Sequence, residues 1–231
     1  MDGPVGTALR LIASGEPGFV GIVQLSLLVS LTAVAIGCLI GLPLGAGLAL
    51  ARFPGRAAVI VVFNALMGLP PVVAGLGLYL MLSRSGPLGG LGLLFTPPAM
   101  VLAQTVLILP IVVSLTRSVV EDLWDEYEEQ LRSLRSSRLR AVPTLLWDGR
   151  FSLLTGVMAG FGRASAEVGA VLIVGGNIAG HTRTMTTAIT LETSRGDLGL
   201  AVALGLILLA MTLAINAGAY GIGRWARRAM G

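Results

Sequence analysis

The chain alternates between long runs without a charge and short connections that carry many. Thirty-five uncharged residues separate Glu16 from Arg52, 27 separate Arg56 from Arg84, 32 separate Arg84 from Arg117 and 26 separate Asp197 from Arg224. A fifth apolar stretch, Phe151 to Gly175, is interrupted only by Arg163 and Glu167. About 20 apolar residues in a helix cross a bilayer. In lipid the backbone must satisfy its own polar groups, and runs of this length do so as helices. The pattern therefore predicts an all-α membrane protein with five transmembrane helices, at about 21–49, 57–82, 98–118, 151–175 and 199–222. Residues 1–18 form a lead-in, 19–223 the transmembrane domain and 224–231 a basic tail. The lead-in contains Asp2, Arg10 and Glu16 and lacks a basic start and a small-residue cleavage site, so no secretory signal peptide is expected. Leu9, Ile12, Phe19 and Val20 suit a short interfacial helix or a frayed start to the first span.

Charge sets the expected orientation. All 16 basic residues are Arg. With five spans, Arg52, Arg56, Arg132, Arg135, Arg138, Arg140, Arg150, Arg224, Arg227 and Arg228 fall on one side, and Arg10, Arg84, Arg183 and Arg195 on the other. Basic loops stay in the cytoplasm. The N-terminus is thus expected outside, the C-terminus and residues 119–150 in the cytoplasm, and residues 176–198 outside.

Composition agrees and excludes several classes. The chain is 55% hydrophobic and 12% charged, against about 25% charged in ordinary soluble domains. The single cysteine, Cys38, rules out a disulfide scaffold or a CxxC site. His181 is the only histidine, which rules out a multi-His metal site. With no lysine there is no P-loop, so any ATP hydrolysis belongs to another chain. Nothing resembles a nucleic-acid-binding motif, and the basic balance suits topology and anionic lipid.

The 119–150 connection is the first candidate for function. Glu121, Asp122, Asp125, Glu126, Glu128 and Glu129 are followed by Arg132, Arg135, Arg138 and Arg140. Leu123, Tyr127, Leu131 and Leu134 recur at helical spacing, and Leu139, Val142, Leu145 and Leu146 form a second apolar set beyond Ser136-Ser137. This reads as two short amphipathic helices outside the membrane. They are either a solvated connector or an element that docks into a cytoplasmic partner.

The segment resembles the coupling loop of ABC importer permeases, whose pattern is Glu-Ala-Ala, three residues, then Gly. Aligned on Leu134, Ser137 and Arg138, the motif Glu falls on Glu129. Gln130 and Leu131 replace the alanines, and Arg135 replaces the glycine. Longer runs are more specific. GFGRASAEVGAVLIVGGNIAGHTRTMTTAITLETSRGDLG (160–199), LMGLPPVVAGLGLYLMLSRSGPLG (66–89) and PTLLWDGRFSLLTGV (143–157) resemble permeases for tungstate. That subfamily carries Leu-Trp-acidic-x-Arg where other importers have Leu-Pro, which accounts for Trp147-Asp148 here. The resemblance covers the chain beyond residue 20. It implies the type I ABC importer fold, a multi-pass protein of the cell (inner) membrane and a homodimer. It also implies a separate cytoplasmic ATPase that holds the ATP and Mg, and an extracytoplasmic tungstate-binding protein. No cofactor is expected on this chain. Molybdate or sulfate is the alternative cargo. Glu129, Leu134, Arg135, Ser137 and Arg138 become the candidate ATPase-coupling residues.

Other residues keep two readings each. Arg163 and Glu167, four apart, share a helix face and either meet an oxyanion or neutralise each other. His181, Thr182, Arg183, Thr186, Thr187 and Glu192, beyond the glycines at 175–176, offer weak contacts to a tetrahedral dianion or form a packed outer cap for the binding protein. A membrane-embedded enzyme or anchor subunit, with His181, Arg183 and Glu192 as an outer site, is the reading from another class. Gly41 and Gly45 fit GxxxG and are expected to pack helices, as is Cys38.

Overall fold

The computed structural model describes residues 4–133 and 137–230, the side chains of Pro4 and of 222–230 excepted. Among the described residues there is no β-strand. A short helix α1 (Pro4–Ser14) precedes the long α2 (Pro17–Leu50). Then come α3 (Arg56–Leu66) and α4 (Pro71–Leu82), a 3₁₀ turn at Gly89–Leu91, and α5 (Pro97–Ser133). A second 3₁₀ turn (Arg138–Ala141), α6 (Val142–Asp148), α7 (Arg150–Ser165), α8 (Gly169–Gly175), α9 (Met185–Arg195) and α10 (Leu198–Met230) complete the chain.

Three helices are long and apolar enough to cross a membrane by themselves: α2, α5 and α10. Two helix pairs are long and apolar enough when taken together, α3–α4 bent by 104° and α7–α8 by 57°. Helices occupy all five expected stretches, two of them as bent pairs of shorter helices. The first break follows from sequence. Gly68 and the Pro70-Pro71 pair interrupt the ladder, and Pro71 starts the next helix with a ready-made φ and no donor to lose.

Of the two expected cytoplasmic helices, the second is the separate α6 and the first is not a helix of its own. The first is the continuation of α5, which runs unbroken through Pro110 and past Arg117 to Ser133. Thirty-seven residues at about 1.5 Å each exceed a hydrocarbon layer of about 30 Å, so the charged end stands clear of it. Likewise α10 continues through residues 224–230, which were expected as a separate tail.

Packing divides the helices. Along α2, Gly37, Gly41 and Gly45 face α5, where a Cβ would lie 2.8 Å from Ile108, 2.8 Å from Val112 and 2.6 Å from the Val113 carbonyl oxygen. Small residues let the backbones close up, and in lipid such contact replaces the hydrophobic drive. The broken spans meet each other at Gly75, where a Cβ would lie 2.7 Å from Ala170 Cα. Gly176 ends α8 at φ 72°, and a Cβ there would lie 2.8 Å from Phe95, whose N–H donates to the Val174 carbonyl at 2.8 Å. At one end of the bundle Ala46, Leu50, Val120, Trp124, Ala141 and Leu145 form a core. At the other, Ala8, Phe19, Met185, Ala188, Ala203 and Leu204 join α1, α2, α9 and α10. Leu31, Leu39 and Leu44 of α2, Val72 and Leu76 of α4 and Leu209 and Leu213 of α10 point outward, as lipid-facing residues do.

Candidate functional site

Polar groups converge where α7 breaks into α8. Glu167 lies in that break and is 2% exposed. Its Oε1 accepts the Ala170 N–H at 2.9 Å and so caps the first turn of α8, while its Oε2 accepts from Arg163 Nη1 at 3.2 Å. Its main-chain carbonyl accepts from Thr186 Oγ1 at 2.8 Å, which ties the start of α9 to the break. Ser26 on α2 accepts the Met185 N–H at 2.7 Å and donates to the Ile22 carbonyl at 2.8 Å. Gln104 on α5 donates from Nε2 to the Ala164 carbonyl at 3.0 Å, and its Oε1 is buried without a partner. Ser26, Gln104 and Thr186, with Ser30, Ser165, Thr184 and Thr212, line a cavity of about 20 Å³. That is room for about one water molecule, so the closed pocket holds no tetrahedral oxyanion.

The residues singled out beyond Gly175 divide into two groups. Thr182 and Thr187 are buried and occupied. Thr182 Oγ1 donates to the Gly175 carbonyl at 2.5 Å and accepts the Ile178 N–H, and Thr187 Oγ1 accepts the Thr184 N–H in the capping box of α9. Arg183 stands 3.8 Å from Glu192, which Arg195 also approaches at 3.3 Å. His181 and Arg183 line an open groove of about 620 Å³ between the starts of α2 and α10, with Glu16 and Asp197 on the same rim. Thr186 belongs with Arg163 and Glu167 at the break rather than with this groove.

At the opposite end, Glu129 lies on the α5 extension and Ser137 and Arg138 at the turn after it. Glu129 is exposed. Its neighbour Glu128 makes the contact to the turn, accepting from Arg138 Nη2 at 2.9 Å and from Arg132 Nη2 at 2.7 Å. Arg138 also lies over the Trp124 ring, 4.9 Å from its centre. Burial opposes the Glu128 charge, but the Trp124 indole and the Arg132 and Arg138 guanidiniums outweigh it and hold the carboxyl below its ordinary range. The carbonyl of Ser137 accepts the Ala141 N–H at the head of the 3₁₀ turn. Leu134 and Arg135 lie outside the described residues.

Ser26, Ser30, Gln104 and Ser165 were not among the expected site residues. A signal existed: Ser26 and Ser30 are one turn apart, and with Gln104 they are polar residues inside charge-free runs. Their partners are far along the chain, 60 residues for Gln104 and 159 for Ser26, which no local spacing reveals.

Five apolar stretches, two of them bent helix pairs and one of these breaks holding the Arg163–Glu167 pair, with a charged helix end beyond them, define a polytopic helical membrane protein. No family model matches the chain. Individual proteins do. It is 40% identical over 215 residues to the tungstate uptake system permease protein TupB of Peptoclostridium acidaminophilum, covering 93% of this chain and 94% of that one. It is 42% identical over 203 residues to a probable anion ABC transporter permease protein of Haloferax volcanii, covering 86% and 88%. A sulfate transport system permease protein CysW of Synechocystis is more distant, 31% identical over 191 residues, covering 78% and 68%. The chain belongs to the family of ABC transporter permeases that includes the tungstate uptake permeases. It is accordingly a multi-pass membrane protein and a transporter subunit, not an enzyme.

Proposed function

We propose that this chain is the membrane subunit of a tungstate importer, forming the translocation pathway as a homodimer and driven by a separate ATPase. The observation that carries this reading is the 40% identity to a tungstate uptake permease over nearly the full length of both chains. ATP and Mg sit on the ATPase. The arginine bias favours a cytoplasmic position for residues 119–150, where the far end of the α5 extension at Glu129, the turn at Arg138 and α6 would meet that partner. It puts the His181–Arg183 groove outside, where an oxyanion-binding protein delivers its cargo.

The geometry supports a division of labour. The α2–α5 pair is locked by its glycine seam. The broken spans have discrete hinges at Met67–Pro70 and at Ala166–Val168, and such breaks absorb the backbone change of domain closure. Nucleotide-driven closure of the ATPase would push on the α5 extension and change the angle of the half-helices. The closed cavity at Gln104 lies on that moving boundary and is too small for the ion, so in this state it is a seal. Opening it would offer the hydroxyls of Ser26, Ser30, Thr184, Thr186 and Thr212, weak contacts that suit passage rather than storage.

The test is ATP hydrolysis and uptake by the permease reconstituted in liposomes with its ATPase and binding protein, comparing tungstate, molybdate and sulfate. Stimulation by tungstate above the other two supports the reading. Stimulation by sulfate alone, the cargo in the name of the 31%-identical relative, reassigns the ion. No stimulation by any oxyanion overturns the importer assignment.

A further inference from the structure

The charged end contains a three-way junction outside the coupling motif. Arg56, the first residue of α3, donates from Nε to the Leu48 carbonyl at 2.8 Å and from Nη2 to the Ala49 carbonyl at 3.0 Å. These belong to the last turn of α2, whose carbonyls have no partner within the helix. The same Nη2 donates to Glu121 on α5, and the other oxygen of Glu121 accepts from Arg117 one turn earlier. One carboxylate therefore serves two guanidiniums, and one guanidinium joins the end of α2, the start of α3 and the α5 extension. The side chains are 19–30% exposed, so water reaches the junction without dissolving it.

The location gives the junction its meaning. Gly45, which approaches Val113 and Thr116, is the last close glycine contact of the α2–α5 seam, and Arg117 and Glu121 follow at once. The junction thus sits just past the last of those glycine contacts, beside the core that Ala46, Leu50, Val120 and Trp124 form. Helix α3 has no buried residue among its eleven. Its position rests on few apolar contacts, so a polar link at its first residue has large leverage. Beyond the 104° bend, α4 crosses α8 at Gly75 and Ala170, and α8 begins at the Glu167 break. A planar guanidinium can reach two carbonyls and a carboxylate at once, which a lysine ammonium does not match.

We propose that Arg56 and Glu121 are positioning residues that pass movement of the α5 extension to the broken span α3–α4, and through it to the Glu167 break. The proposal rests on the reading of the chain as an ATPase-driven permease. It adds a route separate from the docking contacts.

A double-mutant cycle tests it, with Arg56→Gln, Glu121→Gln and the double variant in the reconstituted complex. Each single change is expected to lower tungstate transported per ATP hydrolysed by about tenfold, a typical coupling magnitude. ATPase co-purification and basal hydrolysis should stay within about twofold of wild type. The double variant should be no worse than the weaker single, because one link is lost either way. Effects that multiply, or singles with wild-type coupling, overturn the proposal. Hydrogen exchange in the permease alone separates this from failure of the importer reading. Amides of 56–66 should exchange about tenfold faster in Glu121→Gln, whatever the complex transports. Unchanged exchange there refutes the junction, whereas faster exchange in a complex that wild-type protein cannot drive with tungstate refutes the importer assignment instead.

Discussion

The α2–α5 pair and the two broken spans use glycine to opposite ends. In the first, three glycines at four-residue spacing bring two continuous helices together over more than two turns, and the contact runs on through Leu50, Val120 and Trp124. In the second, one close crossing at Gly75 joins half-helices α4 and α8, and polar groups hold the start of α8, Glu167 capping it and Thr186 holding the Glu167 carbonyl. A seam of many close contacts has one arrangement. Half-helices held at a crossing and a cap can rotate about both. In the proposed permease the α2–α5 pair would serve as a fixed frame and the broken spans as the movable part.

Substitutions in the seam should have the largest effect. Gly45→Leu places a side chain 2.6 Å from a main-chain oxygen that cannot step aside. Overpacking of this kind costs about 3 kcal/mol or more, so little folded permease should survive extraction and size-exclusion chromatography. A well-folded Gly45→Leu protein would mean that the seam is looser than described.

Next is the hinge. Glu167→Ala removes the cap of α8 and the partner of Arg163, a loss of about 1.5–3 kcal/mol for charge-assisted bonds. The protein should fold with a lower midpoint in a thermal-shift assay, and uptake should fall further than stability does. Glu167→Gln, which keeps an acceptor for Ala170, should recover most of the stability and less of the uptake. Equal recovery of both would make the residue a cap alone.

The smallest effect on stability belongs to the exposed acids. Glu129→Ala should leave the thermal midpoint unchanged, because surface changes usually stay within about 0.5 kcal/mol. It should nonetheless weaken ATPase co-purification by about 10–100-fold if a charge-assisted contact to the partner is lost. Glu126→Ala should be silent in both assays. Wild-type association in Glu129→Ala would remove this residue from the docking surface and leave Glu128, which already holds Arg138, as the acid that matters to the turn.

These regions were unequally legible. The spans could be read from the charge-free runs because lipid imposes one rule on the whole length of a segment. The break before α4 was half-visible in Pro70-Pro71. The break before α8 was not, since Ala-Ser-Ala-Glu contains neither proline nor glycine. It exists because Glu167 caps the next helix and Thr186, 19 residues on, binds its carbonyl. The α5 extension was read as a new helix because charges begin at Arg117, yet charge ends the membrane, not the helix. At the turn, motif register pointed to Glu129, whereas the Arg138 contact goes to Glu128, one residue earlier on the face that turns back toward Trp124.

The most direct test of a fixed frame and a movable part is a pair of spin-label distances in the reconstituted complex, on a Cys38→Ala background with labelled chains diluted in unlabelled ones. Labels at Leu39 and Ser118 report on the α2–α5 seam, and labels at Leu39 and Leu76 report the position of α4 relative to it. On ATP binding the first distance should stay fixed, while the second should shift by more than the about 1–2 Å of ordinary helix adjustment. A change in the seam distance with α4 held still would contradict the account.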